Sequence, residues 1–178
     1  MLNLIHILGG INMKREELIA PLAYNLSTEI ERFAKDPSKL ALKWENHEGL
    51  TKSITYKELI TEANKIGNVF AEAGLQKGDK ILVIVPRLLE AYPIYIAALK
   101  SGIILIPCSE MLRAKDLAFR VNHADARAVV CYEPFTGEFD AVDGSDNLTK
   151  FSVGGKKEQW ISLDDEIKRL YNSTGETS

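Results

Sequence analysis

Cysteine is scarce in this sequence, and its scarcity limits the folds and sites that the chain can build. The 178 residues include two cysteines, Cys108 and Cys131, so a disulfide framework is excluded. A single bridge between them remains open, but their apolar neighbours favour two reduced, buried thiols. No Cys-x-x-Cys pair or Cys/His cluster occurs, which disfavours a structural zinc site.

Histidine and basic residues are also sparse. The three histidines, His6, His47 and His123, are scattered and have no metal-ligand spacing. The 22 Lys and Arg residues against 25 Asp and Glu residues give a formal net charge of -3. Nucleic-acid-binding proteins usually carry a basic surplus, so we expect no nucleic acid among the partners.

Long hydrophobic runs are missing as well. The apolar stretch Leu2–Ile11 is shorter than the ~20 residues of a membrane span, and no Lys or Arg precedes it as in a signal peptide. We therefore predict no membrane span and a cytoplasmic protein. Residues 1–12 are interpreted as an extension, with a misplaced start ahead of Met13. The alternative is that they form a strand or helix that packs on the body.

Length and composition predict one main domain. The chain has 46% hydrophobic and 26% charged residues, as ordinary globular proteins do, and it is slightly longer than a typical domain of about 150 residues. We expect the domain over residues 13–171 and a polar tail over residues 172–178.

The clearest predicted element is an amphipathic helix that begins at Tyr56. Apolar or small residues follow at helical spacing as far as Phe70. Thr55 and Glu58 form a Thr-x-x-Glu capping box at its start, and Gly74 is placed to end it. Before this helix, the sequence predicts a helix over Pro21–Lys35 and strands over Leu40–Trp44 and Ser53–Thr55.

Three apolar runs alternate with helical segments after Gly78. Continuous apolar runs are typical of strands covered on both faces, as in a parallel sheet. We predict strands over Lys80–Val85, Ile103–Ile106 and Ala128–Cys131, with helices over Leu88–Lys100 and Ala114–Asn122 between them. This order predicts an α/β fold, with a mostly parallel sheet flanked by helices and right-handed crossovers.

Beyond Tyr132 the pattern weakens. The segment Glu133–Asn147 is rich in acidic residues and has no basic residue, which predicts a solvated acidic loop. A strand over Phe151–Val153 and a last helix over Ser162–Tyr171, with a capping signal at Ser162, complete the predicted elements.

The motifs assign no catalytic, cofactor-binding or metal-binding residue. A Gly-x-Ser-x-Gly elbow is absent, and the turn Pro86–Leu88 after the first buried strand lacks the glycines of a dinucleotide site. This absence argues against a redox or phosphate-binding enzyme of the doubly wound type. Gly154–Lys156 is followed by Lys157, where a P-loop needs Ser or Thr, so a plain turn is favoured.

Two side chains follow predicted buried strands at their carboxyl ends, where α/β proteins place ligands. Arg87 could contact a phosphate or carboxylate, but a local ion pair with Glu90 is the favoured interpretation. Cys108 follows Pro107 and has no base beside it in the sequence that would activate the thiol, so a packing role is favoured.

Taken together, these segments resemble the opening part of the AMP-forming acyl-CoA synthetases, the adenylate-forming family. The matching motifs include an aliphatic-Thr-Tyr-x-Glu-Leu helix entry and a Leu-Lys-x-Gly motif before a proline. They occur in consistent order over Ile54–Leu59, Gly74–Lys80, Pro86–Glu90, Leu99–Pro107 and Leu117–Val130. The Pro-Arg pair at Pro86 and the stretch Trp160–Leu163 resemble the medium-chain, acetyl-CoA synthetase-like branch.

The resemblance implies that the whole enzyme is a ligase of fatty acid metabolism. It would convert a carboxylic acid, ATP and coenzyme A into acyl-CoA, AMP and pyrophosphate, with Mg as a further cofactor. Family members continue into a Ser/Thr/Gly-rich phosphate loop and a C-terminal domain with the lysine that drives adenylation, and neither is found here.

We therefore expect an N-terminal fragment, an incomplete part of the adenylate-forming large domain. It should bind none of these cofactors and be inactive by itself. The alternative is a non-catalytic binding or interaction module that retains the scaffold. Apolar surface left uncovered would favour a homo-oligomer.

Overall fold

A parallel sheet organises the part of the chain that the computed structural model describes, residues 24–143 and 145–174. The expected extension over residues 1–12 lies outside this part. In chain order the helices and strands are α1 Leu26–Glu31, β1 Leu40–Glu45, β2 Thr51–Thr55, α2 Tyr56–Glu72, β3 Lys80–Ile84, α3 Ala91–Ser101, β4 Ile104–Pro107, α4 Ala114–Ala124, β5 Ala128–Tyr132, α5 Thr136–Asp140, β6 Thr149–Val153, β7 Ile161–Ser162 and α6 Leu163–Thr174.

The sheet has five strands in the order β4-β3-β5-β6-β7, and every neighbouring pair is parallel. In the centre, Leu82 of β3 lies opposite Ile106 of β4 on one side and Val129 of β5 on the other. Strands β1 and β2 form a separate antiparallel hairpin. The predicted α/β fold with a mostly parallel sheet is therefore confirmed.

Successive residues of the central strands point to opposite faces, and each face has its own helices. Ile81 and Val83 pack in a core with residues of α2, α3 and α6. Leu82 and Ile84 pack in a second core with residues of α4 and α5. Because both faces are covered, β3 and β5 need the continuous apolar sequence that they have.

The capping box of α2 is formed as predicted. The Thr55 side chain accepts a hydrogen bond from the Glu58 N–H at 3.2 Å, and the Glu58 carboxylate accepts one from the Thr55 N–H at 2.8 Å. These hydrogen bonds from Thr55 lower the pKa of Glu58. After the helix, Gly74 adopts a left-handed conformation with φ 82°, which a residue with a side chain rarely adopts.

Four helices differ in length from the prediction, and one of them, α4, differs only by continuing to Ala124 rather than ending at Asn122. The first begins at Leu26, after the N-cap Asn25, and passes into a 3-10 helix over Arg32–Lys35, while its predicted start at Pro21 lies outside the described residues. The third begins at Ala91 rather than Leu88, since the chain first turns at the sheet edge, where the Leu88 N–H donates to the Pro86 carbonyl. The last continues to Thr174 rather than ending at Tyr171.

Strand β4 is an edge strand, so the prediction that both of its faces are buried is wrong. It has one neighbour, and Ile104 remains 49% exposed. The N–H groups of Ile104 and Cys108 donate towards β3, to the carbonyls of Asp79 and Val83. Backbone groups of successive strand residues hydrogen-bond in alternate directions, so those of Leu105 and Pro107 point away from β3. Pro107 has no N–H to offer a further strand.

The segment Glu133–Asn147 is not the solvated loop that its acidic residues predicted. It contains α5 and short 3-10 helices, and Phe139 and Val142 are fully buried against the second core. Phe135, Phe139 and Val142 recur at spacings of four and three residues, and all three pack into the second core from α5 and the residues that flank it. This apolar stripe decides the structure, while acids such as Asp143 point to solvent.

One carboxylate of this segment holds it to the rest of the chain. Asp140 accepts a hydrogen bond from the Trp160 indole N–H at 2.9 Å and pairs with the Lys157 ammonium at 3.0 Å. Burial acts to raise the pKa of Asp140. The hydrogen bonds from Trp160 and Lys157, with the charges of Lys157 and Lys150, outweigh burial, and the pKa is lowered.

The packing of α5 is tested by Phe139→Ala. Phe139 is fully buried and meets the Trp160 ring edge-on at a centroid distance of 5.9 Å. Its truncation leaves a cavity and should lower the free energy of unfolding by about 3–5 kcal/mol in urea denaturation. The control is Leu50→Ala, because Leu50 is 54% exposed, and it should change stability by less than about 0.5 kcal/mol. Equal losses of stability in the two variants would contradict the packing of Phe139 in the second core.

The lowered pKa of Asp140 predicts a pH dependence. A carboxyl whose pKa falls below its ordinary 3.8 on folding stabilises the fold above that value. This stabilisation is lost as the pH falls through the lowered pKa. Asp140→Asn should therefore be less stable than the wild type at neutral pH, and the difference should shrink below about pH 4. Urea denaturation from neutral to acid pH measures it, with Asp143→Asn, an exposed carboxylate nearby, as the control. A pH-independent difference would contradict the prediction.

Candidate functional site

The connections of the sheet place a crevice at its carboxyl edge. From β3 the chain crosses to β4 on one side, and from β4 it returns past β3 to β5 on the other. The loops that follow β3 and β5 therefore diverge, and open α/β sheets bind their ligands at such a point. This is the place at which a site is expected from topology.

The crevice has a volume of about 140 Å³. The hairpin closes one side of it, because the Trp44 indole N–H donates to the Arg87 carbonyl at 2.6 Å. The Lys52 ammonium lies 5.8 Å from the centre of the Trp44 ring. The lining residues come from the hairpin, the turn after β3 and the ends of β5 and β6: Trp44, Lys52, Leu88, Leu89, Glu90, Tyr132, Val153 and Gly154.

Arg87 lies beside this crevice but does not form the expected ion pair with Glu90. Both side chains are exposed, and among the described residues the Arg87 guanidinium has no ion-pair partner. What fixes the turn is its backbone, since the Arg87 carbonyl accepts the Trp44 hydrogen bond. The two residues follow a strand end in a turn, where they are not held on one helix face.

The loop Gly154–Lys156 is a bend in which one N–H, one carbonyl and the lysine ammonium have partners within the chain. The Gly154 N–H donates to the Asp164 carboxylate at 2.8 Å, and the Gly155 carbonyl accepts from the Ser152 hydroxyl at 2.8 Å. Lys156 pairs with Asp165 at 2.7 Å. A carboxylate therefore occupies the position at which a phosphate would meet the Gly154 N–H.

Both cysteines are free thiols. Cys131 is fully buried in the second core, and burial raises its pKa to about 12. Cys108 is partly buried, and burial raises its pKa as well. Because the thiolate is the reactive form, both residues are suited to packing rather than to nucleophilic attack.

The crevice at the carboxyl edge is small, and the turn that borders it lacks one backbone donor. Small-molecule pockets usually measure about 300–1,000 Å³, and this crevice is much smaller at about 140 Å³. The turn after β3 begins with Pro86, which has no N–H for a phosphate oxygen. Among residues 24–143 and 145–174, no three His, Cys, Asp or Glu side chains are placed to hold a metal ion.

A wider concavity of about 580 Å³ lies at the opposite edge of the sheet, lined in part by Lys80, Asp125 and Arg127. The strand N–H groups there are already used, since the Arg127 N–H donates to the Lys80 carbonyl at 2.8 Å. The Lys80 Nζ atom lies 4.0 Å from the Asp125 Oδ2 atom. We place the candidate site at the carboxyl edge because the topology leaves the loops apart there.

The strand order and pairing define an open parallel α/β sheet, and comparison with known families identifies the chain further. The family model described as "AMP-binding enzyme" matches residues 30–176. The chain therefore belongs to the AMP-binding enzyme family, and the resemblance to acyl-CoA synthetases is confirmed.

Two curated relatives are named as an acyl-CoA ligase and an acyl-coenzyme A synthetase. An uncharacterized acyl-CoA ligase, YtcI of Bacillus subtilis (strain 168), is 48% identical over 151 residues. The human mitochondrial acyl-coenzyme A synthetase ACSM3 is 31% identical over 150 residues. The alignments cover 85% and 82% of this chain but 28% and 26% of the relatives. The chain thus spans about a quarter of the length of the relatives it matches.

Solved structures show the same fold. The anthranilate CoA ligase AuaEII, solved with anthranoyl-AMP, superposes with a TM-score of 0.73 at 20% identity, over 88% of this chain and 30% of that one. An acyl-CoA synthetase of Brucella canis gives a TM-score of 0.74 at 20% identity, over 82% of this chain and 27% of that one.

Within residues 24–143 and 145–174, no helix is both long and apolar enough to cross a membrane.

The close approach at Gly154 is tested by Gly154→Ala with Gly49→Ala as control. Both glycines have left-handed backbones, with φ 76° and 81°. A Cβ at Gly154 would lie 2.6 Å from Tyr132 Cε2, whereas a Cβ at Gly49 meets nothing within 4 Å. Each change should cost about 1–2 kcal/mol in backbone strain, and Gly154→Ala about 1–3 kcal/mol more. Equal losses in urea denaturation would show that Tyr132 moves aside freely.

Proposed function

We propose that the chain supplies the N-terminal part of an AMP-forming acyl-CoA synthetase and that, by itself, it neither adenylates a carboxylic acid nor forms a thioester. Family membership and the crossover topology support the first half. The second half is supported by two features of the carboxyl edge. The edge that should face a nucleotide offers a small crevice, and the nearby Gly154 N–H is engaged by the Asp164 carboxylate.

The chemistry of the whole enzyme explains why these features matter. A carboxylate attacks the α-phosphate of ATP to give an acyl-adenylate and pyrophosphate, and the coenzyme A thiol then displaces AMP. Negative charge develops on phosphate oxygens, so a catalyst needs fixed cations, Mg and backbone N–H groups aimed at them. Among the described residues, Arg87 lies beside the crevice with an exposed side chain and no ion-pair partner, and the exposed Lys52 lies over the Trp44 ring.

In this proposal the chain acts as a scaffold. The two-sided core holds β3, β5 and β6 in register, and the Trp44 hydrogen bond holds the hairpin to the turn after β3. The whole enzyme would act on a carboxylic acid in the cytoplasm, within fatty acid metabolism. The acid, ATP, coenzyme A and Mg are assigned to the whole enzyme and not to this chain.

A pyrophosphate-release assay tests the proposal. The purified 178-residue chain is incubated with ATP, Mg, coenzyme A and short- or medium-chain fatty acids. We expect no acid-dependent release above a blank without protein, while full-length human ACSM3 serves as the positive control for the assay. Clear turnover by the pure chain would overturn the proposal. Calorimetric binding of ATP or coenzyme A without turnover would instead favour a non-catalytic binding module.

A further inference from the structure

The crevice at the carboxyl edge has walls suited to a small hydrocarbon group. Leu88 and Leu89 reach it from the turn after β3, and Tyr132 and Val153 are paired neighbours at the ends of β5 and β6. The Trp44 indole closes the hairpin side. Val153 is buried and the other four residues are partly buried. Binding sites for small molecules are lined in this way, by apolar and aromatic residues with a few polar groups added.

Two charges of opposite sign line the same crevice. Lys52 and Glu90 are both exposed, and within residues 24–143 and 145–174 neither has an ion-pair or hydrogen-bond partner. The Lys52 ammonium lies 5.8 Å from the centre of the Trp44 ring. Glu90 precedes α3 and makes no side-chain hydrogen bond to its first turn. Both charges are therefore available to a ligand.

Neighbouring groups offer a ligand little else to bind. The first two N–H groups of α3 already donate to carbonyls of the preceding turn, and the third residue, Pro93, has no N–H. The Gly154 N–H is engaged by a carboxylate of the chain. Arg87 lies beside the crevice without lining it. An anionic group at this position would therefore meet Lys52, and a cationic group would meet Glu90.

The size of the crevice limits the part of a ligand that can enter it. A volume of about 140 Å³ holds about five water-sized groups, since a water molecule occupies about 30 Å³ in the liquid. A short branched hydrocarbon chain fills such a space. Charged groups attached to this chain would remain at the mouth, where exposed Lys52 and Glu90 meet them without full loss of water.

We propose that the crevice binds a small zwitterion that carries an ammonium, a carboxylate and a short hydrocarbon chain, as free L-leucine does. The hydrocarbon chain packs between Trp44 and the turn after β3, the ammonium pairs with Glu90, and the carboxylate pairs with Lys52. No bond is made or broken. The inference does not depend on acyl-CoA chemistry, so the result of the pyrophosphate-release assay leaves it untouched.

Titration of the full 178-residue chain with L-leucine, followed by the two indole N–H signals in NMR spectra of the ¹⁵N-labelled protein, tests the site. The Trp44 signal should shift and saturate, because its N–H donates to Arg87 at the crevice wall. The Trp160 signal should stay in place, because its N–H is bound to Asp140. Trp44→Phe assigns the two signals. We expect a dissociation constant of about 0.1–10 mM.

Three ligands separate the contributions to binding. Isopentylamine lacks the carboxylate of L-leucine, 4-methylpentanoate lacks the ammonium, and glycine keeps both charges without the hydrocarbon chain. Each should bind at least about tenfold more weakly than L-leucine, because each loses one of the three contacts. If 4-methylpentanoate binds as tightly as L-leucine, the crevice is a site for simple carboxylates and the proposal is wrong.

Substitution of the two charged residues links each contact to its partner. Lys52→Met should abolish the advantage of L-leucine over isopentylamine, and Glu90→Gln should abolish its advantage over 4-methylpentanoate. The matched controls are Lys43→Met and Glu45→Gln. Both residues are exposed in β1 on either side of Trp44, so their side chains point to the opposite face of the hairpin. These variants should bind L-leucine as the wild type does.

Three results would overturn the proposal. The first is that the Trp44 signal shows no saturable shift up to about 50 mM L-leucine. The second is that the Trp160 signal shifts equally, which would place binding elsewhere. The third is that Lys52→Met and Glu90→Gln bind L-leucine as tightly as the two control variants. The NMR spectrum of each variant also reports whether it is folded.

Discussion

The structure depends on burying β3 from both sides. Its residues Ile81, Leu82 and Val83 are completely buried, two facing one core and one facing the other. Such a strand has no solvent face, so helices must cover both sides, and right-handed crossovers then place α3 and α4 on opposite faces. The divergence of the loops at the carboxyl edge, and with it the position of the crevice, follows from this one requirement.

Most of the fold was predictable from the sequence because its signals are local. The capping box at Thr55 and the apolar runs of β3 and β5 involve residues close in the chain, and both are formed as predicted. The wrong predictions concern features that depend on residues distant in the sequence. No residue within Ile103–Ile106 indicates that β4 pairs with a neighbouring strand on one side only. In the α5 segment, abundant acidic residues obscured the stripe of Phe135, Phe139 and Val142.

The candidate site was less accessible to sequence reasoning than the fold. Family membership could be recognised from ordered motifs, yet the residue that closes the crevice, Trp44, is 43 positions away from its partner Arg87. The expected Arg87–Glu90 pair failed because a sequence spacing of three brings side chains together only on a helix, and α3 begins after both residues.

The two tryptophans of the chain occupy contrasting environments. Trp160 is buried, hydrogen-bonded to Asp140 and packed edge-on against Phe139, whereas Trp44 is half-exposed on the hairpin and bound to the turn after β3. Their fluorescence therefore supplies two natural optical probes, one for the integrity of the inner core and one for the seating of the hairpin. Replacing either indole with phenylalanine would let the remaining emission follow its own region during unfolding or ligand titration.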